Sequence, residues 1–223
     1  MSYADRAAAG RTLATRLQRW RGSGALVLAL PRGGVPVAAE IARDLGLELG
    51  LALVRKVGMP GHRELAVAAL AGPSGETLVT NPDVMRAAGL DADAVAALAS
   101  PERHELARRA ALWLSGQALP VLTGRTVILV DDGLATGATM RAALVWARAQ
   151  KPARLIVAVP VGAEDTLAAI APMADEVHCP LRPHPFRAVG AHYDDFAQVP
   201  DADVTRILRA VPKPGAKLGC LRD

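Results

Sequence analysis

Two adjacent acids, Asp131 and Asp132, follow a run of four apolar residues, Val127 to Val130, and precede a loop of small residues that carries Thr136 and Thr139. Ionised carboxylates accept hydrogen bonds and donate none, so such a pair suits ligand hydroxyls or a hard divalent cation. Beyond the acids, Gly133-Leu-Ala135-Thr136-Gly137-Ala138-Thr139 leads into Met140-Arg-Ala-Ala-Leu-Val-Trp-Ala-Arg-Ala149, whose spacing predicts a helix. A strand that stops at a glycine-bearing loop and enters a helix gathers free backbone N–H groups and the positive dipole end at one spot. That spot suits a phosphate, with threonine hydroxyls as further donors. The loop has no lysine, so it is not a Walker A loop, and it lacks the G-x-G-x-x-G dinucleotide spacing. Carboxylates beside a phosphate would repel it unless the ligand presents hydroxyls there. A ribose 5-phosphate meets both demands, with its phosphate on the loop and its 2- and 3-hydroxyls on Asp131 and Asp132. A solvated acidic turn before a helix cap is the bland alternative, and it explains neither the paired acids nor Thr-Gly-x-Thr.

The same stretch closely resembles the phosphoribosyl diphosphate (PRPP) signature of type I phosphoribosyltransferases, with Gly133 standing where a bulkier apolar residue is common. The resemblance implies PRPP binding by Asp131, Asp132, Gly133, Ala135, Thr136, Gly137, Ala138 and Thr139. It also implies a Mg²⁺ cofactor chelated by the diphosphate and ribose hydroxyls, met by Asp131 and Asp132 directly or through water. Pro31-Arg32-Gly33-Gly34 follows a second buried strand run, Ala25 to Leu30, and reads either as a tight turn or as a ligand loop. The family resemblance favours a diphosphate loop, in which Gly33 and Gly34 offer backbone amides and Arg32 a charge-assisted contact. Arg55-Lys56-Val-Gly58-Met-Pro60-Gly61-His62-Arg63-Glu64 is dense in cations and in loop-forming residues. It is either a basic hairpin tip or a closing loop, and it resembles the orotate branch of the family. There Arg55 and Lys56 would hold the diphosphate, with Lys56 and His62 neutralising it as it leaves. As a whole the chain looks most like a bacterial subgroup of predicted phosphoribosyltransferases that shares the Pro-Arg-Gly-Gly loop, Asp-Asp-Gly-x-Ala-Thr-Gly-Ala-Thr and a Val-Gly-x-x-Tyr-Asp-Asp-Phe tail.

The elements that must position these residues alternate between strand and helix. Amphipathic spacing predicts a helix over Asp5 to Trp20, and others over 35–45, 140–149 and 163–171. Short apolar runs predict buried strands at 25–30, 49–54, 127–130 and 154–160, with a short strand at 175–179. Asp91 to Ser115 reads as two helices, split at Pro101 with Ser100 as the cap. Asp201 to Val211 reads as a closing helix. This order predicts an α/β fold, a doubly wound parallel sheet of the type I phosphoribosyltransferase kind with a small hood built from flanking segments. The expected organisation is a single domain over 1–223, its core at about 25–180, with the N-terminal helix and residues 181–223 forming the hood or tail. Three of the seven aromatic residues fall between Phe186 and Phe196. Phe186 and Tyr193 could stack a planar acceptor or serve only to staple the hood.

At 223 residues, with 51% hydrophobic and 22% charged residues, the chain has enough material for a sizeable core. The formal charge of +4 favours a polyanionic substrate. No basic run interleaved with aromatics points to specific nucleic-acid binding. Cys179 and Cys220 sit in unrelated contexts and suggest a reducing compartment. His178, Cys179, His184 and His192 have no compact metal-ligand spacing. No signal core or membrane-length apolar run is present, so a cytoplasmic location is expected. The resemblance implies a homodimer that no residue pattern shows. The expected activity is transfer of a phosphoribosyl group from PRPP to a nitrogenous, nucleobase-like acceptor with release of diphosphate. Ala135 stands where hypoxanthine-type relatives carry an acid, which speaks against that base specificity; the position resembles the adenine-type loop, though one alanine does not name a substrate. A non-catalytic PRPP or nucleotide sensor and a plain ribose 5-phosphate-binding hydrolase stay open as alternatives.

Overall fold

A computed structural model describes residues 2–59, 61–114 and 120–211, with backbone alone at 62–65. In chain order the elements are α1 (Arg6–Arg16), β1 (Leu26–Ala29), α2 (Gly34–Leu45), β2 (Glu48–Leu51), β3 (Val54–Met59), β4 (His62–Ala71) and β5 (Thr77–Thr80). There follow α3 (Pro82–Ala88), α4 (Ala92–Leu114), β6 (Thr126–Val130), α5 (Ala138–Ala149), β7 (Arg154–Ala158), α6 (Glu164–Ile170), β8 (Glu176–His178) and α7 (Asp201–Ala210).

The short apolar runs form a five-stranded parallel sheet in the order β2-β1-β6-β7-β8. Its central strands β1, β6 and β7 are buried on both faces, and the period of two sorts their side chains. Val27, Ala29, Ile128, Val130, Ile156 and Ala158 face a core built with α1, α2 and α7. Leu26, Leu28, Val127, Leu129, Leu155 and Val157 face a second core built with α5. Helices on both faces of a parallel sheet make the doubly wound α/β fold. The chain leaves β1 toward β2 on one side and reaches β6 only after the intervening elements, so β1 and β6 flank the switch point. The loops that follow these two strands therefore border the same crevice, the usual ligand position in such sheets.

Of the two readings of the cationic segment after residue 54, a hairpin tip or a closing loop, the structure has its flanks paired as an antiparallel hairpin. β3 and β4 pair from Val54↔Ala71 to Met59↔His62, with register shifts on either side of Gly58, and β5 joins as the third strand. This arm lies between two helices. Val57, Val67 and Leu70 pack with Val95, Ala99 and Leu106 of α4, while Ala69 and Ala71 pack with Leu144 and Trp146 of α5. The buried residues lie at the stem of the arm, at Val57 and from Val67 to Ala71, and these anchor the hairpin between the helices.

A single helix, α4, replaces the two expected on either side of Pro101. Val95, Ala99, Leu106, Ala110 and Trp113 keep one buried stripe continuous across the proline. Pro101 and Ala97, whose carbonyl loses its helical donor, both lie on the exposed face where water can replace that bond. The sequence reading also passed over α3, although Asn81 caps it by accepting from the Val84 N–H at 3.4 Å and Pro82 opens its first turn. Among the described residues no helix is long and apolar enough to cross a membrane.

Candidate active site

Asp131 and Asp132 leave the end of β6 at the crevice, and the loop after β1 is pressed directly against them. A β-carbon added to Gly33 would lie 2.0 Å from Asp132 Oδ2, and one added to Gly34 would lie 2.5 Å from the Val130 carbonyl oxygen and 2.9 Å from Asp131 Cα. Only glycine admits so close an approach. The two loops are further tied by the Leu30 N–H donating to the Val130 carbonyl at 2.8 Å. The Pro31–Arg32 peptide in this loop is cis.

The two carboxyls differ in their surroundings. Asp131 is half-buried, and its Oδ1 accepts the Asp132 backbone N–H at 2.9 Å. Burial first, and the neighbouring Asp132 charge second, push its pKa well above the ordinary carboxylate range. Asp132 is also pushed up by burial, against the opposing pull of Arg6, whose Nε donates to its Oδ2 at 2.8 Å. The Tyr193 hydroxyl donates to the Asp132 backbone carbonyl at 2.5 Å.

Downstream, the Leu134 N–H donates to the Val161 carbonyl at 2.8 Å, and the Thr166 hydroxyl donates to the Ala135 carbonyl at 2.6 Å. These bonds fasten the loop to the end of β7 and to α6. Gly137 has a φ of +74°, the left-handed turn that launches α5. The first-turn N–H groups of α5, at Ala138 and Thr139, have no intrahelical acceptors and present the helix N-terminus beside the threonines. Gly133 packs on the tail: a β-carbon there would come 2.4 Å from Val189 Cγ1. The small residue at this position thus makes room for residues that arrive more than fifty positions later.

The cations expected around the diphosphate do not form one cluster. Arg32 stays at the crevice, with Nη1 3.7 Å from Asp201 Oδ1 at the start of α7. Arg55 and Lys56 alternate across β3 and so face opposite ways. Arg55 turns toward α4, where it pairs with Glu102 and lies 4.0 Å from Glu105. This corrects the expectation that it would act beside Lys56. Lys56 faces the other side and lines a cavity of about 560 Å³ with Ala66, Val79, Asn81, Thr136 and Arg141. Arg141, in the first turn of α5, was not singled out by its sequence context. The side chain of His62 lies outside the described residues.

Tyr193 is not the open stacking platform expected of it. It is only 7% exposed, tilted against Tyr3 and Phe196 with ring centroids 5.6 and 5.0 Å away, and its hydroxyl is engaged by Asp132. Burial raises its pKa further above that of an ordinary phenol. Phe186 is half-buried and stacks on His192 at 6.0 Å. Cys179 is buried, which pushes its thiol up to about 11, and it takes no part in the crevice.

Two carboxylates beside a helix N-terminus and a glycine loop are hard oxygen donors that suit Mg²⁺ only as partial ligands, since Mg²⁺ commonly takes one or two carboxylates together with substrate phosphates and water. The donor set therefore fits a cation carried in with a phosphorylated ligand.

Comparison with known proteins gives the family and the fold. A family model described as phosphoribosyl transferase domain matches residues 3–195. Rv0571c of Mycobacterium tuberculosis, provisionally named a phosphoribosyl transferase, is 43% identical over 219 residues, covering 98% of the chain and 49% of that relative. The chain thus spans about half the length of the curated relatives it matches. The crystal structure of TT1426 from Thermus thermophilus is 42% identical, with a TM-score of 0.80 over 93% of this chain and 98% of that one. AQ2163 from Aquifex aeolicus, at 13% identity and a TM-score of 0.51 over 83% and 78% of the two chains, shares the fold.

Proposed function

The chain belongs to the phosphoribosyl transferase domain family, and from that premise we propose that it binds PRPP in the β1/β6 crevice and transfers the phosphoribosyl group to a nitrogenous acceptor. One observation carries the reading: Gly33 and Gly34 lie in contact with Asp131 and Asp132, so the anion loop, the hydroxyl acceptors and the diphosphate loop border a single crevice. In this arrangement the N–H groups of Ala138 and Thr139, with the hydroxyls of Thr136 and Thr139, hold the 5-phosphate. Asp131 and Asp132 accept the ribose hydroxyls, and Arg32 with the backbone of Gly33 and Gly34 holds the diphosphate. Mg²⁺, arriving with PRPP, would be held from the protein side by Asp131 and Asp132 and would neutralise charge on the leaving group.

The reaction breaks the C1–O bond to diphosphate and forms a C1–N bond to the acceptor, which gives up a proton. Charge develops on the ring and on the departing oxygen, so fixed dipoles and cations aimed at those points supply most of the assistance. Lys56 approaches the phosphate loop from the arm side, where it can reach ligand oxygens. Phe186 remains the candidate aromatic contact for the acceptor, since Tyr193 is committed to the fold.

A PRPP or nucleotide sensor is the second reading, favoured by one feature. The stem of the arm packs between α4 and α5, and Arg55 is already paired with Glu102, which suits a segment that holds its place. Calorimetry of PRPP with Mg²⁺, followed by diphosphate release across a panel of nucleobases, tests both readings. Binding with acceptor-dependent release supports the transferase, whereas binding without turnover supports the sensor. No binding at all removes both, and release without any acceptor points to hydrolysis.

A further inference from the structure

Arg6 lies 126 positions from Asp132 in sequence, yet among the described residues it makes the only side-chain hydrogen bond to that carboxylate. It is the first residue of α1, and its place is set by its neighbours. Asp5 caps the helix by accepting the Ala8 N–H at 2.7 Å. The Tyr3 N–H donates to the His192 carbonyl at 2.9 Å, and the Asp194 and Asp195 N–H groups donate to the carbonyls of Tyr3 and Ala4 at 2.8 and 3.0 Å. These bonds strap the segment before α1 to the tail. From that strap the guanidinium reaches three groups. Nε meets Asp132 Oδ2 at 2.8 Å, Nη1 meets the Ala197 carbonyl at 2.8 Å, and the planar head lies over the Phe196 ring, 3.9 Å from its centroid. Its side chain is 11% exposed. Tyr193, from the same tail, grips the backbone carbonyl of Asp132. One acid of the pair is therefore held at both ends, its carboxylate by Arg6 of the N-terminal helix and its backbone carbonyl by Tyr193 of the tail.

We propose that Arg6 is a positioning residue for sugar recognition: acting through Asp132, it sets the orientation in which that carboxylate accepts a ribose hydroxyl. The inference rests on the ribose-binding reading of the crevice and extends it to the N-terminal helix and the tail. Asp132 has two carboxylate oxygens, and Arg6 occupies Oδ2, which leaves Oδ1 to be aimed at the ligand. Without the guanidinium, a mostly enclosed carboxylate beside Asp131 loses its counter-charge and its fixed rotamer. A planar fork is needed, because the same head must reach a carboxylate and a carbonyl while lying flat on a ring; a lysine ammonium supplies charge without that geometry.

The test compares affinities for ribose 5-phosphate, 2-deoxyribose 5-phosphate and inorganic phosphate in the full chain, for wild type, R6M and R6K, with melting temperatures alongside. Wild type should prefer the ribose compound by about tenfold, as expected for loss of a hydroxyl–carboxylate hydrogen bond. R6M should compress that preference to within about twofold while keeping affinity for inorganic phosphate, and R6K should fall between the two. An undiminished preference in R6M overturns the proposal. So does an equal loss of affinity for all three ligands, which is the mark of general loosening. If R6M does not fold, R6K decides: a preference equal to that of wild type overturns the proposal. Absence of any ribose preference in wild type removes the ribose reading itself, and so is distinguishable from failure of Arg6 alone.

Discussion

The crevice between β1 and β6 and the arm formed by β3, β4 and β5 are both built from glycine-containing segments with charged residues, yet they are constrained in opposite ways. In the crevice, acids are half-buried and main chain presses on side chain: Gly33 leaves no room for a β-carbon beside Asp132, and Asp131 has a second acid next to it. In the arm, Gly61 has open space around its α-carbon, and the Arg55–Glu102 pair is part-exposed. Enclosure raises the consequence of every change, because an unpaired group away from water cannot be rescued by solvent. The crevice should therefore respond sharply to conservative substitutions that the arm tolerates.

The largest effect expected is from Asp132→Asn. Replacing the acceptor that Arg6 holds should weaken PRPP binding by about 3 kcal/mol, roughly a hundredfold, in calorimetry. An affinity within threefold of wild type would erase the distinction between the two regions. Next comes Gly34→Ala, which forces a methyl against the Val130 carbonyl and Asp131. It should cost about 2 kcal/mol of stability in denaturant melts, whereas Gly61→Ala in the arm should cost about 1 kcal/mol from its left-handed backbone alone. Comparable losses at the two sites would contradict the packing argument.

Asp131→Asn sharpens the comparison through pH. The folded protein holds the Asp131 proton above the ordinary value of 3.8, so native stability declines as pH rises from there through the elevated folded pKa. The asparagine variant lacks that decline. Its melting temperature should match wild type at acid pH and exceed it progressively toward neutrality, even as PRPP binding is lost. Lys56→Ala, on the arm, should slow acceptor-dependent diphosphate release by about tenfold with ribose 5-phosphate affinity nearly unchanged. Equal losses in both would move Lys56 into the sugar-phosphate site. The smallest effect belongs to Arg55→Ala: less than about 1 kcal/mol of stability, with PRPP affinity within about twofold.

How far the sequence could be read follows the same division. The strand runs at β1, β6 and β7, the glycine loops that follow β1 and β6, and the α/β order are local patterns, and local patterns were sufficient to place them. The arm stayed undecided between hairpin and closing loop because what fixes its stem is packing between α4 and α5, which no window of residues contains. Pro101 misled for a related reason: its effect depends on whether the orphaned carbonyl faces water. The roles of Arg6, Asp201 and Tyr193 rest on contacts between distant segments. The tail had drawn notice for its aromatic residues and its Tyr-Asp-Asp-Phe run, but its hydroxyl anchor on Asp132 had no sequence signal. Arg55 and Lys56 looked equivalent until strand parity sent them to opposite faces.

The glycine at 133, an oddity when first met in the sequence, turns out to be half of a matched set with Val189. Engineers who wish to graft the tail of a related protein onto this one will have to exchange residue 133 along with it. A leucine or isoleucine imported at 133 alone would evict the tail, so the two positions ought to be treated as one unit in any chimera.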